Sequence, residues 1–382
     1  MRLVRNPELR GVLILALIIL VLGLVSAAFT GRLEQWFGIT WFSGPMAMNK
    51  IIFVSDCDGH DEICLMNTNG SGRKQLATHV AVASLPAINA MGNRIVFIAA
   101  TPCGESQVYQ VGAGGGDAEQ ITASSEPKDQ PTFSPDGTRI AYISSGRVYV
   151  AEPDGSNPGA VLPTREQTRM AMRSRGTDTL AAEMPRYRLY AWGADSKSMI
   201  AVARDAEGRD SIFYVPDLVA GDVLPVLALN SGRVQVADIA WAAKAAVAAF
   251  SVVVDDRSGV AVFDAKEGKV KPIAMVKNQF FGDLDLSPDG QVLIVATQSF
   301  RPKRPSGLIR FDLSAARVGL ILPGLYQRVV FSPRGDKVLA VRVDPATNRR
   351  DIISVNPDGS NLKQLTRDGA SHSPVWSPIA PK

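Results

Sequence analysis

Histidine and cysteine are scarce, with three of each in 382 residues. The histidines, His60, His79 and His372, are scattered, which nearly excludes a multi-histidine metal centre. No Cys-x-x-Cys pair, His-Glu-x-x-His helix or phosphate loop occurs, so the chemistry those motifs carry falls away. A Gly-x-Ser-x-Gly nucleophile elbow is missing too, which argues against a prolyl-oligopeptidase-type peptidase. Neither a metal nor a cofactor is expected, and no catalytic constellation is found. The chain also lacks a charge of one sign. Its net charge is +4, but Arg2, Arg5, Arg10 and Glu8 all sit at the N-terminus, and without them 38 basic and 36 acidic residues remain. A balance that even makes no case for nucleic acid.

Long apolar runs are absent except for one. Gly11 to Thr30 is 20 residues without a charge, dominated by Leu, Ile and Val. At 1.5 Å per residue a helix of that length spans about 30 Å, the thickness of a bilayer core. The arginines before it place the N-terminus in the cytoplasm and the rest of the chain across the membrane. The expected organisation is a cytoplasmic segment (1–10), a single-pass signal anchor (11–30), a linker (31–49) and one domain (50–382). Val25-Ser26-Ala27 also resembles a cleavage site, so a removed signal peptide is the rival reading. Trp36, Phe37, Trp41 and Phe42 suit either the headgroup region or a linker packed on the domain.

What is present is a recurring phrase. Phe-Ser-Pro-Asp-Gly stands at Phe133–Gly137, Leu-Ser-Pro-Asp-Gly at Leu286–Gly290 and Phe-Ser-Pro-Arg-Gly at Phe331–Gly335, with Trp-Ser-Pro at Trp376–Pro378. Leu286, Phe331 and Trp376 are spaced by 45 residues, as are Ile88 and Phe133. Trp192 and Trp241 complete seven anchors at looser spacings of 59, 49 and 45. Each phrase is a turn in which Pro fixes φ, Ser favours the first position and Gly tolerates the exit. Apolar runs follow, such as Ile140–Ile143 and Val292–Val295, as suits a sheet buried on both faces. A second turn phrase recurs at Pro153–Asn157, Pro357–Asn361 and Asn69–Gly72. Four strands per period of this length make a β-propeller blade.

The first repeat, opening at Lys50, lacks an anchor strand, and the last anchor, Trp376, has no strands after it. The C-terminal strand is therefore expected to complete the first blade from the inside, which removes open edges. The expectation is an all-β, seven-bladed propeller closed by a C-terminal strand, with one N-terminal transmembrane helix. Six blades is the alternative count, because the stretch from Trp192 to Trp241 is worn.

The Ser-Pro-Asp-Gly turns, the Ile-Ala-Tyr strand at Ile140–Tyr142 and the Asp-Gly-Ser-Asn loops resemble the TolB-type, WD40-like propeller family over roughly Lys50–Pro378. That resemblance implies the fold and leaves the function open, since one propeller hosts many activities. TolB proteins also carry an α/β domain ahead of the propeller, for which residues 31–49 are too few.

Residues three or four before an anchor come from equivalent places in the ring and should meet at one mouth of the central channel. Asp129, Asp238, Asp283, Arg328 and His372 are the polar candidates there. Arg328 offers a fork to a carboxylate, while the aspartates favour an amine or a cation. The competing reading is that they pair with one another. Cys57 and Cys64 flank the first hairpin, and a turn centred on His60-Asp61 would set them face to face for a disulfide, whereas a turn at Asp58-Gly59 would not. Asp56–Asp61 resembles the start of a calcium loop but lacks its closing acid, so a plain turn is preferred. Two basic clusters, Arg165/Arg169/Arg173/Arg175/Arg186/Arg188 and Arg301/Lys303/Arg304, are either solvated loops or docking points for an acidic partner or anionic lipid.

The functional expectation is a membrane-anchored, extracytoplasmic scaffold that binds a protein or peptide in the cell envelope. The alternative is a channel-mouth enzyme, a lyase or hydrolase acting on a polysaccharide or lactone.

Overall fold

The computed structural model describes residues 46–379, apart from 58, 77–81, 83–85, 169–183, 185, 228–233 and 301–304. The predicted anchor (11–30) and most of the linker lie outside the described residues. No helix among those described is long and apolar enough to cross a membrane. The last linker residues are already part of the domain. Ala47 is buried and its N–H donates to the Gly92 carbonyl (2.7 Å), while the Asn49 N–H donates to Pro378 (2.9 Å).

Seven four-stranded antiparallel sheets form the ring. Their innermost strands, in blade order, are Ser371–Trp376, Ala87–Ile88, Lys128–Phe133, Arg186–Trp192, Val234–Trp241, Gln279–Leu286 and Leu325–Phe331. Each ends on an anchor residue. Next outward lie Lys50–Cys57, Arg94–Ala100, Ile140–Ser144, Met199–Arg204, Val247–Val254, Val292–Ser299 and Val338–Val343. These second strands hold much of the core: Ile51 to Val54, Ile95 to Ala99 and Val338 to Val341 are buried without interruption. Such runs follow from apolar contact on both faces, one with each neighbouring blade. Ser371–Trp376 pairs with Lys50–Cys57, so the C-terminal strand closes the first blade, as expected.

The turn phrase works through its serine. The Ser134 hydroxyl donates to Asp136 (2.5 Å) and accepts the Arg139 N–H (3.0 Å), and Ser287 repeats this with Asp289 (2.5 Å) and Val292 (2.9 Å). Where Arg334 replaces the aspartate, Ser332 turns to Asp336 instead (2.8 Å). Gly137, Gly290 and Gly335 have φ of 73°, 72° and 77°, a left-handed conformation that explains the glycine.

The first hairpin departs from the expected register. Cys57 faces His60 and Cys64 faces Phe53, so the strands do not pair about His60-Asp61. The two cysteines are four residues apart along the ladder, roughly 13 Å at ~3.3 Å per residue, beyond the reach of a disulfide. The predicted Cys57–Cys64 bridge is therefore corrected. The Gly59 N–H donates to Asp56 (2.8 Å), so the calcium-like stretch is a turn.

The connection between blades 3 and 4 opens with one helical turn, residues 165–168. Thr164 and Gln167 cap it reciprocally: the Gln167 N–H donates to the Thr164 hydroxyl (3.3 Å) and the Thr164 N–H to Gln167 Oε1 (3.0 Å).

Candidate functional site

The innermost strands ring the channel, and among the described residues six of the seven share a defect not visible in the repeat. Three or four residues before the anchor, the register against the second strand slips. The extra residue falls at Gln130, Arg188, Ala237, Asp283, Arg328 and Ser373 or their immediate neighbours. Such a bulge bends the strand and re-aims side chains. Gln130, Arg328 and Ser373 take φ of 51°, 52° and 54° there, a conformation that non-glycine residues seldom adopt.

The re-aimed groups reach the next blade. The Leu284 N–H donates to Asp238 Oδ2 (3.0 Å), the Arg328 N–H to Asp283 Oδ2 (2.8 Å) and the Phe331 N–H to Asp285 Oδ2 (2.7 Å). Gln130 Nε2 donates to the Arg188 carbonyl (2.9 Å), Arg188 to the Val236 carbonyl, and Trp376 Nε1 to Val330 (3.1 Å). Every seam from blade 3 round to blade 1 is thus crossed by a side chain of an innermost strand.

Asp238, Asp283 and Arg328 lie near one another, and Asp285 joins them. Burial pushes the Asp238 carboxyl up to about 6; the Arg328 guanidinium opposes this and the Asp283 charge adds to it. Burial pushes Asp285 up to about 7, against the N–H groups of Phe331 and Leu286, with the Asp238 charge adding. Both side chains keep partial contact with solvent in the channel, but the surrounding protein removes most of their hydration. Arg328 forms an ion pair with neither, and its buried Nε has no hydrogen-bond partner among the described residues. An oxygen of a bound molecule could meet that donor.

Asp129 and His372 stand apart from this group. Asp129 is exposed and accepts the N–H of its neighbour Gln130 (2.8 Å). His372 Nε2 lies 3.2 Å from Asp61 and Nδ1 lies 2.8 Å from Ser373. Burial pushes its pKa down; Asp61 opposes this and Arg350 reinforces it. Among the described residues no three His, Cys, Asp or Glu side chains converge as a metal site would require.

A second buried charge holds the seam between blades 4 and 5. The Asp210 side chain is fully inaccessible and accepts from Arg188 Nε (3.1 Å), Arg204 Nε (2.8 Å) and the Val236 N–H (2.8 Å). Burial pushes its pKa up, but the two arginines and that N–H outweigh burial and hold it down. Arg188, read from sequence as part of a basic loop, is therefore a structural partner. Arg169, Arg173, Arg175, Arg301, Lys303 and Arg304 lie outside the described residues.

No protein-family model matches the chain, and no curated protein matches its sequence. Among solved structures it is similar to an oligogalacturonate lyase in complex with manganese, at 12% identity and TM-score 0.59, over 84% of this chain and 86% of that one. It is also similar to the β-propeller domain of the Trilobed protease from Pyrococcus furiosus, at 10% identity and TM-score 0.57, over 85% of this chain and 95% of that one. TolB from Acinetobacter baumannii matches at 16% identity and TM-score 0.49, over 86% of this chain and 83% of that one. At such identities the likeness is one of fold: the described residues form a seven-bladed β-propeller.

Proposed function

We propose that this protein is a binding scaffold of the cell envelope, tethered by residues 11–30 with its propeller on the extracytoplasmic side, and that it holds a protein or peptide partner. The observation that carries this reading is the use of the channel carboxylates. Asp238, Asp283 and Asp285 each accept a backbone N–H from the following blade, which makes them ties of a rigid ring. A rigid ring displaying loops binds without paying for ordering on contact. The uncharged apolar run behind Arg2, Arg5 and Arg10 supports the tether. The test is crosslinking of the tagged full chain in intact cells, followed by detergent solubilisation and capture. A stoichiometric partner, and a chain that stays with membranes in high salt and leaves them only in detergent, are expected. Release by salt would remove the tether, and a chain that crosslinks to nothing would remove the scaffold.

One observation favours the enzymatic alternative. Asp285 and Asp238 have pKa values raised toward neutrality beside the half-buried Arg328, the kind of arrangement that general acid–base catalysis uses. A lyase acting on a uronide would produce an unsaturated product that absorbs ultraviolet light. Turnover of oligogalacturonate with manganese, abolished in Asp285→Asn, would establish that reading in place of the scaffold.

A further inference from the structure

The seams between blades are not sealed alike at the outer rim. In blades 1, 2, 3 and 7 the second turn carries a glycine laid against the outermost strand, or the residue just after it, of the preceding blade. A Cβ added at Gly70 would stand 3.1 Å from the Leu365 carbonyl oxygen; at Gly115, 3.1 Å from Leu76; at Gly155, 1.9 Å from Ile121; at Gly359, 2.7 Å from Ile321. Only a glycine permits so close an approach. In blade 6 the corresponding turn is Asp312-Leu313-Ser314-Ala315-Ala316, which lacks glycine and folds on itself: the Ser314 hydroxyl (2.9 Å) and the Ala315 N–H (3.0 Å) both donate to Asp312. The seam it should cover stays open. A groove of about 390 Å³ remains between Lys269–Lys277 of blade 5 and blade 6, lined by Ile273, Val276, Phe281, Phe311, Leu313 and Val318.

The strand bordering that groove is long for its place. Outermost strands of blades 1, 2 and 7 are two residues long and those of blades 3 and 4 four, whereas Lys269–Lys277 has nine and Arg317–Pro323 seven. The latter is the last strand of its sheet, so one edge has no partner strand. Natural edge strands are protected by charge or proline, and the neighbouring Lys269–Lys277 carries Lys269, Lys271, Pro272 and Lys277. Arg317–Pro323 has no charge or proline between its end residues and exposes Val318 (65%) and Leu320 (44%) on one side. At the rim of the groove, Lys271 and Arg317 are exposed and have no carboxylate partner among the described residues.

We infer that the open seam between blades 5 and 6 docks an extended peptide segment of a partner protein, one bearing apolar side chains and a carboxylate. The segment adds as a strand to the free edge of Arg317–Pro323, inserts an apolar side chain into the groove and sets its carboxylate against Lys271 and Arg317. This rests on the scaffold reading and says where on the ring the partner sits.

The probe is a random-peptide display library selected on the immobilised full chain in detergent. Enriched peptides should combine β-branched residues with Asp or Glu. Their affinity should fall about tenfold or more in Val318→Lys and in Arg317→Glu, two exposed substitutions whose folding is checked by thermal melting. Peptides that bind both variants as tightly as the parent chain, peptides enriched in basic residues, or no enrichment would each overturn the docking site. A dimer of the parent chain that Val318→Lys dissolves would assign the edge to a second copy and also overturn it. Any of these results alongside a captured envelope partner leaves the scaffold standing, while failure of capture as well removes both.

Discussion

Raising the pH from 5 to 8 should weaken this fold through Asp285. Its folded pKa, about 7, lies above the ordinary carboxyl value of 3.8. In that interval the native state holds a proton that the unfolded chain has released, so stability falls as pH rises toward 7 and then levels off. The part of the interval above pH 5 covers about two units, or ~3 kcal/mol at 1.36 kcal/mol per unit. Solvent in the channel screens some of this, leaving about 2–3 kcal/mol. Asp238, raised to about 6, acts in the same direction over a narrower range. His372, whose pKa is lowered, opposes both, because the unfolded chain binds its proton more readily as pH falls. The Asp285→Asn variant separates these contributions, since His372 is common to both proteins. At pH 5 the amide replaces a largely neutral acid and costs about 1 kcal/mol. At pH 8 it removes a buried charge, and the variant should be the more stable by about 1–2 kcal/mol. Urea unfolding followed by tryptophan fluorescence at pH 5, 6, 7 and 8 gives the difference curve. A curve that is flat across this range would refute the reasoning.

Three further outcomes follow from the seams and the first hairpin. Asp210→Asn should lower stability by about 3 kcal/mol, the low end for breaking a buried ion pair because both arginines keep solvent contact, read as a lower urea midpoint. Tyr190→Phe should cost about 1–3 kcal/mol, because the Tyr190 hydroxyl donates to the Ala141 carbonyl (2.6 Å) and contacts Thr132 (2.9 Å) in the preceding blade; its melting curve gives the value. Non-reducing peptide mapping should recover no Cys57–Cys64 crosslink, and native alkylation should label the exposed Cys103.

The ring was legible because each blade repeats a turn whose chemistry is local. Ser, Pro and Gly at fixed offsets follow Phe133, Leu286 and Phe331, each the end of an innermost strand, and even worn copies such as Trp192 and Trp241 end theirs. The bulges were not legible, since one extra residue leaves the 45-residue spacing intact and shows only in pairing. That is why Asp285, one residue before its anchor, escaped notice while Asp283 did not. The period placed candidates at one level of the ring but could not say which neighbours they would meet. Asp129 and His372 therefore found local partners. The Arg188–Asp210–Arg204 group was hidden for the same reason: its members lie on different strands and join across a fold. The register at Cys57 turned on a choice between two tight turns, and the pairing of Cys57 with His60 excludes the one centred on His60-Asp61.

The closure of blade 1 sets an order of events. Lys50–Cys57 emerges early, and its inner neighbour Ser371–Trp376 is made more than three hundred residues later. Until then the first blade lacks a strand, and its inner edge is an unpaired row of N–H and C=O groups. Contacts as distant as Ser371 with Ser55 (3.2 Å) can form only once Ser371 has been made. A nascent chain thus carries an adhesive strand in its first blade, in need of shielding until Ser371–Trp376 follows. A product cut short before Ser371 could never shed that edge, so the same strand that secures a complete ring leaves a truncated one open to aggregation.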